Sequence, residues 1–475
     1  MKVFFSITLF LFLSLSAQAE KPMNFILILV DDLGWMDLSC QGSRYYETPN
    51  LDRLAAQGMR FTNAYAACAV CSPTRAAIQT GRYPARLGVT DWIRSRFQGG
   101  GIPLDKKNPS GFTGGSRKFL VPKNALWMES SEITIAELLK PAGYVSCHIG
   151  KWHLGADDWY PQKQGYDFNY GGCDYGQPPS YFDPYNKPTH RHAMIRAGIP
   201  HLPGRKPGQY LSDREAEEAV AFIEKHKDKP FFLNMDNYAV HTPIQAKAEV
   251  TAKYENKTKT LQKNAKYAAM VESVDDCAGR IMAALEKHGI ADRTMIIFTS
   301  DNGGLRGPTN NAPLRSGKGY AYEGGIRVPL IIKWPGVVKP GTTSAEPVTS
   351  VDYFPTIAEV TGLDLPEGRD IDGLSLAKHL SSQGKQKLSR DAIYWHFPHY
   401  RHNPGPYSII REGDWKLIKF YEGPMELFDL NKDIGETKNL AAAMPGKVKE
   451  LESRLLAHLK SVGAKMPKLN PAAKN

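Results

Sequence analysis

Two cysteines, Cys68 and Cys71, open the stretch CAVCSPTRAAIQTGRYP (68–84). A C-x-x-C pair is the usual form of a redox dithiol or of half a zinc site. Neither fits well here. Pro73-Thr74-Arg75 has no role in thiol exchange, and no second pair stands at a spacing suited to zinc. Asp31-Asp32 and Asp301-Asn302 offer hard oxygen donors and nothing softer, a set that suits Ca²⁺ or Mg²⁺ and is poor for zinc. Either pair alone reads equally well as a helix cap or a turn. Together they are better explained by a cation that offsets their mutual repulsion. Lys151, His153 and His241 are further polar residues in the same kind of position.

Each cluster follows an apolar run, which indicates what must hold it. NFILILV (24–30), YVSCHIG (144–150), FFLNMDNY (231–238), TMIIFTS (294–300) and VPLIIKW (328–334) read as strands covered on both faces. Helices lie between them. Thr48 is placed as the N-cap, Pro49 in the first turn and Gly58 past the end of one. Thr134 and Glu137 form a capping box on a second, closed by Pro141 and Gly143, and Ser212 and Glu215 form another before a helix reaching about His226. The alternation predicts an α/β fold, a large mixed, mostly parallel sheet sandwiched by helices. In such sheets ligands bind beyond the carboxyl ends of the strands, where these clusters fall. Over 386–475 the runs become short, aromatic and alternating, which predicts a smaller C-terminal α+β domain of antiparallel strands with one helix. The tail beyond about Met466 reads as disordered.

Lys2, the apolar run Val3–Leu15 and Ala17-Gln18-Ala19 predict a signal peptide, residues 1–19, cleaved after Ala19. The run is too short to span a bilayer, and no cysteine follows the cleavage point to carry a lipid. The chain is therefore expected to be exported, periplasmic or secreted, with no membrane anchor, and its main domain to cover 20–385. Six cysteines in 475 residues are too few for a disulfide scaffold, although a single bridge stays open. The net charge of +11 raises nucleic acid as a partner. The last 35 residues, however, hold seven Lys or Arg against two Glu. The remaining mild excess suits an anionic substrate, and no nucleic-acid partner is expected.

Read forward from Cys71, the string Cys71-x-Pro73-Thr74-Arg75 followed by Thr80-Gly81 resembles the signature of the type I sulfatases. These are arylsulfatase-like, formylglycine-dependent members of the alkaline-phosphatase-like superfamily. RYPARLGV, GKWHLG, VHTPIQA and RSGKGYAYEGGIRVP match the family too, across nearly the whole mature chain; Gln79 stands where Leu is usual. The resemblance implies that Cys71 is oxidised to formylglycine (3-oxoalanine). Cys68, with Val70 where the proline should be, is left as a small buried residue. A cation, Ca²⁺ with Mg²⁺ as the alternative, would be held by Asp31, Asp32, Asp301, Asn302 and the converted Cys71. One hydroxyl of the hydrated aldehyde would attack sulfur and release the alcohol; the other would then lose its proton and expel sulfate.

The resemblance also assigns roles. Arg75 would stabilise the ionised hydroxyl, and Asp301 would act as its base. Lys151 would contact sulfate, and His153 would trigger elimination. His241 and Lys318 would bind sulfate oxygens and protonate the leaving alcohol. A helix expected after Pro73 would aim its N–H groups at the anion. The implied partners are a sulfated carbohydrate, of galactose or N-acetylgalactosamine type, and a formylglycine-generating maturation enzyme. Loops around 170–185, 191–205 and 395–405 are rich in aromatics, His and Arg, so His396, His399 and Arg401 join Lys151, His241 and Lys318 as substrate contacts. The alternatives are a phosphomonoester, phosphodiester or phosphonate hydrolase of the same superfamily, or a non-catalytic binder of sulfated glycans.

Overall fold

Every residue of β1 (Asn24–Val30) is buried, and its alternating side chains feed two separate cores. Ile26, Ile28 and Val30 face one side of the sheet, and Phe25, Leu27 and Leu29 the other. The computed structural model describes residues 22–204 and 206–473, so the expected signal peptide lies outside the described residues, as does position 205 at the end of one candidate loop.

Around β1 stand β2 (Met59–Phe61), β3 (Val145–Gly150), β4 (Phe168–Tyr170), β5 (Phe231–Asn237), β6 (Thr294–Ser300), β7 (Leu330–Lys333) and β8 (Thr342–Ser344). Their order is β8-β2-β7-β6-β1-β5-β3-β4. The five strands from β6 to β4 are parallel, while β7 runs antiparallel to both its neighbours. Ile26, Ile28 and Val30 pack with Phe222 and Ile223 of a helix over Leu211–His226 and with Met270 and Ile281 of one over Ala265–Lys287. The opposite face is covered by Ala76 and Ile78 of the helix Cys71–Thr80 and by Phe354 and Ile357 of Tyr353–Thr361. This is the mixed, mostly parallel α/β sandwich that the sequence predicts.

The C-terminal strands β9 (Ile393–Phe397), β10 (Tyr407–Glu412), β11 (Trp415–Phe420) and β12 (Glu426–Asp429) form an antiparallel sheet. Trp395, Ile409 and Ile418 pack on Tyr65, Val70 and Ile326 of the main body, and Ile410 and Leu417 pack on Leu451 and Leu455 of the helix Pro445–Ser461. The tail does not match the expectation of disorder. Lys468–Leu469 pairs as a strand with Phe119–Pro122, and Asn470 N–H donates to the Lys118 carbonyl at 2.9 Å. All six cysteines are free.

The Thr134–Glu137 capping box is present, with Glu137 N–H donating to the Thr134 hydroxyl at 3.2 Å and Thr134 N–H to the Glu137 carboxylate at 2.8 Å. The Ser212–Glu215 box is not. That helix starts at Leu211, so Ser212 lies inside its first turn and Glu215 turns into the core. There it accepts Asn237 Nδ2–H at 2.9 Å and Tyr238 N–H at 3.3 Å. Burial, only partly opposed by these bonds, lifts Glu215 to about 8. A carboxyl raised in the folded state adds stability that is complete below the unfolded value of about 4.3 and is lost as pH rises through the folded value. Glu215→Gln should therefore flatten the decline in urea-unfolding free energy between about pH 5 and pH 8. Parallel curves for the variant and wild type would refute this.

Candidate active site

Strand register alone brings the polar clusters together. Val30 pairs with Ser300 on one side and Asn237 on the other, and Gly150 pairs with Asp236. Asp31-Asp32, Asp301-Asn302, Asp236 and Lys151 thus emerge side by side at the carboxyl ends of four adjacent parallel strands. Short backbone bonds lock these ends: Asp301 N–H to the Val30 carbonyl (3.2 Å), Asp31 N–H to Ala239 (3.0 Å) and Lys151 N–H to Asp236 (2.8 Å). Asp32 and His153 have φ of 62° and 60°, a left-handed backbone that non-glycine residues adopt rarely and that concentrates at functional sites.

Arg75 is the hub of the cluster. It projects from the helix Cys71–Thr80 and is buried. Its Nε and Nη2 donate to Asp301 Oδ2 at 3.0 and 2.8 Å, and its Nη1 donates to Asp236 Oδ2 at 3.1 Å and to the Lys151 carbonyl at 2.7 Å. Lys151 Nζ lies 2.6 Å from Asp31 Oδ2, and Lys318 Nζ lies 2.6 Å from Asp32 Oδ1. Burial works against ionisation of all four carboxyls. Lys318 beside Asp32, and Arg75 beside Asp301, overcome it and hold those two below the ordinary carboxylate range. Asp31 and Asp236 are pushed up, Asp236 to about 7. Burial alone would lower the Lys318 ammonium, but the Asp32 carboxylate holds it above the usual lysine value.

Several buried oxygens are left over. Asp31 Oδ1, Asp32 Oδ2 and Asn302 Oδ1 have no hydrogen-bond partner, although Asn302 Nδ2–H donates to Asp32 Oδ1 at 2.8 Å. Asp31, Asp32 and His241 present ligand atoms within 4.8 Å of one another. Buried oxygens without donors are costly unless something positive meets them. Three hard oxygens fit Ca²⁺ or Mg²⁺, with His241 as the one softer donor at their edge.

Above them is a cavity of about 220 Å³, lined by Cys71, Trp92, His153, His241, Lys318 and Arg401 among others. Cys71 is the first residue of its helix, which thus begins three positions before the expected start after Pro73, behind Val70, which offers no capping oxygen. Ser72 ties this end to its surroundings, donating to the His153 carbonyl at 2.9 Å and accepting Ile93 N–H at 2.9 Å. His153 Nε2 is 2.6 Å from the Ile93 carbonyl, so a neutral ring keeps its proton there and leaves Nδ1, which has no partner, as a proton acceptor. Burial, with Lys151 and Arg75 nearby, holds His153 well below the usual histidine value; burial and Lys318 bring His241 to about 3. Both rings are neutral near pH 7.

The structure thus gathers Asp31, Asp32, Asp301, Asn302, Cys71, Arg75, Lys151, His153, His241, Lys318 and Arg401 around one cavity and the acidic cluster beneath it. It does not bring His396 there. His396 is buried in the C-terminal sheet, with Nδ1 at 2.8 Å from the Ser408 hydroxyl and Nε2 at 3.2 Å from the Lys465 carbonyl, so both nitrogens are occupied. His399 lines a neighbouring cleft, held at 2.8 Å by the Thr90 hydroxyl. Asp236 was missed because it sits within an apolar strand; an acid in a run buried on both faces was its signal. Trp92, Gln98 and Gln177 line the cavity from loops with no motif to mark them. Cys68 is buried in the core beside Tyr65 and Val70, and burial pushes its thiol up to about 12.

Comparison with known proteins covers most of the chain. Residues 23–363 match the family model described as Sulfatase, and residues 316–465 match that of the N-sulphoglucosamine sulphohydrolase C-terminal region. A sulfatase of Formosa agariphila is 34% identical, covering 90% of this chain and 86% of that protein. The N-acetylgalactosamine-6-sulfatase of Mus musculus is 35% identical over 80% of this chain and 70% of its own. The solved structure of Ps i-CgsB in complex with k-i-k-neocarrahexaose superposes with a TM-score of 0.77 at 30% identity, covering 92% of this chain and 93% of that one.

The unpaired oxygens give a direct test. After chelation, added CaCl₂ should raise the thermal midpoint of wild type, by about 2.7 kcal/mol of stabilisation at a hundredfold excess over Kd. The rise should vanish in Asp32→Asn. An equal rise in both proteins would place the ion elsewhere.

Proposed function

The chain belongs to the sulfatase family and is a sulfuric ester hydrolase, and on that premise we propose that it removes sulfate from a sulfated carbohydrate of galactose or N-acetylgalactosamine type. The observation that carries the reading is the meeting, in one small cavity, of Cys71 with Lys318, His153 and His241 over a set of unpaired hard oxygens. The sugar class is supported by the likeness to an N-acetylgalactosamine-6-sulfatase and to a protein solved with a neocarrahexaose. Among the described residues no helix is long and apolar enough to cross a membrane. We further propose export, on the leader read in residues 1–19.

Cys71, converted to formylglycine by a maturation enzyme, would supply a hydrated aldehyde, with one hydroxyl to attack sulfur and another from which sulfate release can start. A Ca²⁺ ion, with Mg²⁺ the alternative, held by Asp31, Asp32, Asp301 and Asn302 would supply positive charge that favours the ionised hydroxyl. The rest falls to the chain's own side chains. Arg75 fixes Asp301 and Asp236 with a planar fork that leaves Asp301 ionised and able to take a proton. Lys151 and Lys318 bring ammonium groups to the sulfate oxygens as charge builds on the leaving group. Lys318 and His241 both line the cavity and are the two groups that would give the leaving alcohol its proton. His153, with Nδ1 open, accepts the proton whose loss starts sulfate release.

Two measurements test this. In protein matured with a formylglycine-generating enzyme, the tryptic peptide ending at Arg75 should carry the aldehyde mass; active protein with only free thiol there excludes the mechanism. Cys71→Ala should release sulfate from an aryl sulfate at least about 10³-fold more slowly, with an unchanged near-UV spectrum. Retained activity would sink the proposal.

A further inference from the structure

A second, larger cleft of about 480 Å³ adjoins the Cys71 cavity, and the ring of Trp92 lines both. The cleft is basic. Arg94, Arg117 and Lys123 line it, all three exposed, together with His399 and Tyr400. Arg401 extends the same charge: it lines the Cys71 cavity and also a pocket that shares Arg117 and Tyr400 with the cleft.

These cations differ from the others nearby. Arg82, Arg86 and Arg96 each hold a carboxylate within 3.4 Å. Among the described residues, no ion pair includes Arg94, Arg117, Lys123 or Arg401. The three arginines are instead held by aromatic faces and close packing. The Arg117 guanidinium lies 4.2 Å over the Tyr400 ring, and that of Arg94 lies 5.7 Å from the Trp92 ring. Arg401 packs against Gly319, where a Cβ would come within 2.4 Å of its Nε; φ there is +84°, so glycine suits both the backbone and the contact. Stacking a guanidinium on a ring fixes its plane and leaves its edge N–H groups free for an anion. Asp91 is the one acid lining the cleft. Its carboxylate accepts Trp92 N–H at 2.8 Å, burial lifts it to about 6, and it offsets at most one of the three positive charges.

We propose that this cleft is a second anion subsite, which takes a sulfate or carboxylate on the sugar adjoining the one being desulfated, so that the preferred substrate is a polyanionic oligosaccharide rather than a lone sulfated sugar. The inference rests on the sulfated-carbohydrate reading above. Trp92, between the two spaces, supplies an apolar face for the ring that links the two anionic groups. Arg94, Arg117 and Lys123, the exposed cations of the subsite, line the larger cleft and not the Cys71 cavity, while Trp92 and Arg401 join the two spaces.

Binding to the catalytically silent Cys71→Ala protein, measured by calorimetry, tests the cleft without turnover. Three probes are used: N-acetylgalactosamine 6-sulfate, a chondroitin 6-sulfate tetrasaccharide whose additional anions include carboxylates, and a carrageenan-type tetrasaccharide whose anions are sulfates alone. With the cleft intact, at least one tetrasaccharide should bind about tenfold more tightly than the monosaccharide, as a charge-assisted contact implies. Adding Arg117→Ala and Lys123→Ala should collapse that ratio, while Arg117→Lys with Lys123→Arg should preserve it. The tetrasaccharide that shows the effect identifies the anion. Tetrasaccharides that bind no better than the monosaccharide, or a ratio unmoved by the double alanine variant, overturn the subsite. Failure of the sulfate-ester reading shows separately, as absence of sulfate release from all three probes by the protein that retains Cys71.

Discussion

Four carboxylates buried at the end of one sheet repel each other strongly, and the protein answers that repulsion with three buried cations. Asp31, Asp32, Asp236 and Asp301 are all buried, as are Arg75, Lys151 and Lys318. Parallel strand register forces the acids together, because β1, β5 and β6 end level. Arg75 then becomes indispensable: its fork joins Asp301 and Asp236 and reaches the Lys151 carbonyl, so one side chain ties three strand ends. Removing one partner from such a set leaves an uncompensated buried charge, which costs about 3–5 kcal/mol, more than the pairing itself contributes. The architecture is therefore as much a consequence of charge balance as of apolar burial.

The C-terminal sheet takes part in the same constraint. Lys416 lies buried between Glu323 at 3.0 Å and Glu436 at 2.8 Å, and Glu323 also accepts the Tyr65 hydroxyl at 2.7 Å and faces Arg327 at 3.3 Å. Glu323 belongs to the segment that carries Lys318, and Tyr65 to the segment that leads into Cys71. Gly319 N–H donates to the Ala69 carbonyl at 2.8 Å, and Trp395 Nε1–H to that of Ala66 at 2.7 Å. The strands after residue 390 thus act as a clamp that fixes a lysine and a cysteine from distant parts of the chain against each other.

The strands were legible because a run buried on both faces has few competing readings, and the ends of NFILILV and TMIIFTS fall where the apolar residues stop. The acidic pairs were legible because polar residues immediately after such runs have nowhere to go but the strand ends. Other features depended on contacts between distant residues. The spacing of Ser212 and Glu215 is that of a capping box, yet the same spacing puts a glutamate on the inner face of a helix, and Asn237 decided between them. His396 falls in an aromatic-rich stretch that reads as a sugar platform, but it lies within the strand β9, which turns it inward. The Lys468–Leu469 strand has no apolar pattern, since its order comes from the partner Phe119–Pro122.

Charge balance also bears on what the site would select. Without a metal, four carboxylates face three cations, and burial keeps Asp236 and Asp31 poised to take protons. A divalent cation among the unpaired oxygens would lower both and ionise them fully. Cluster and cation together would then carry one net positive charge. A sulfate ester, a monoanion, neutralises it, whereas a phosphate monoester dianion overshoots and returns the buried site to net negative charge. Both anions are tetrahedral, so shape distinguishes them poorly and the discrimination must be electrostatic. The neutral state of His153 and His241 belongs to the same balance, because protonating either would move the preference back toward the dianion.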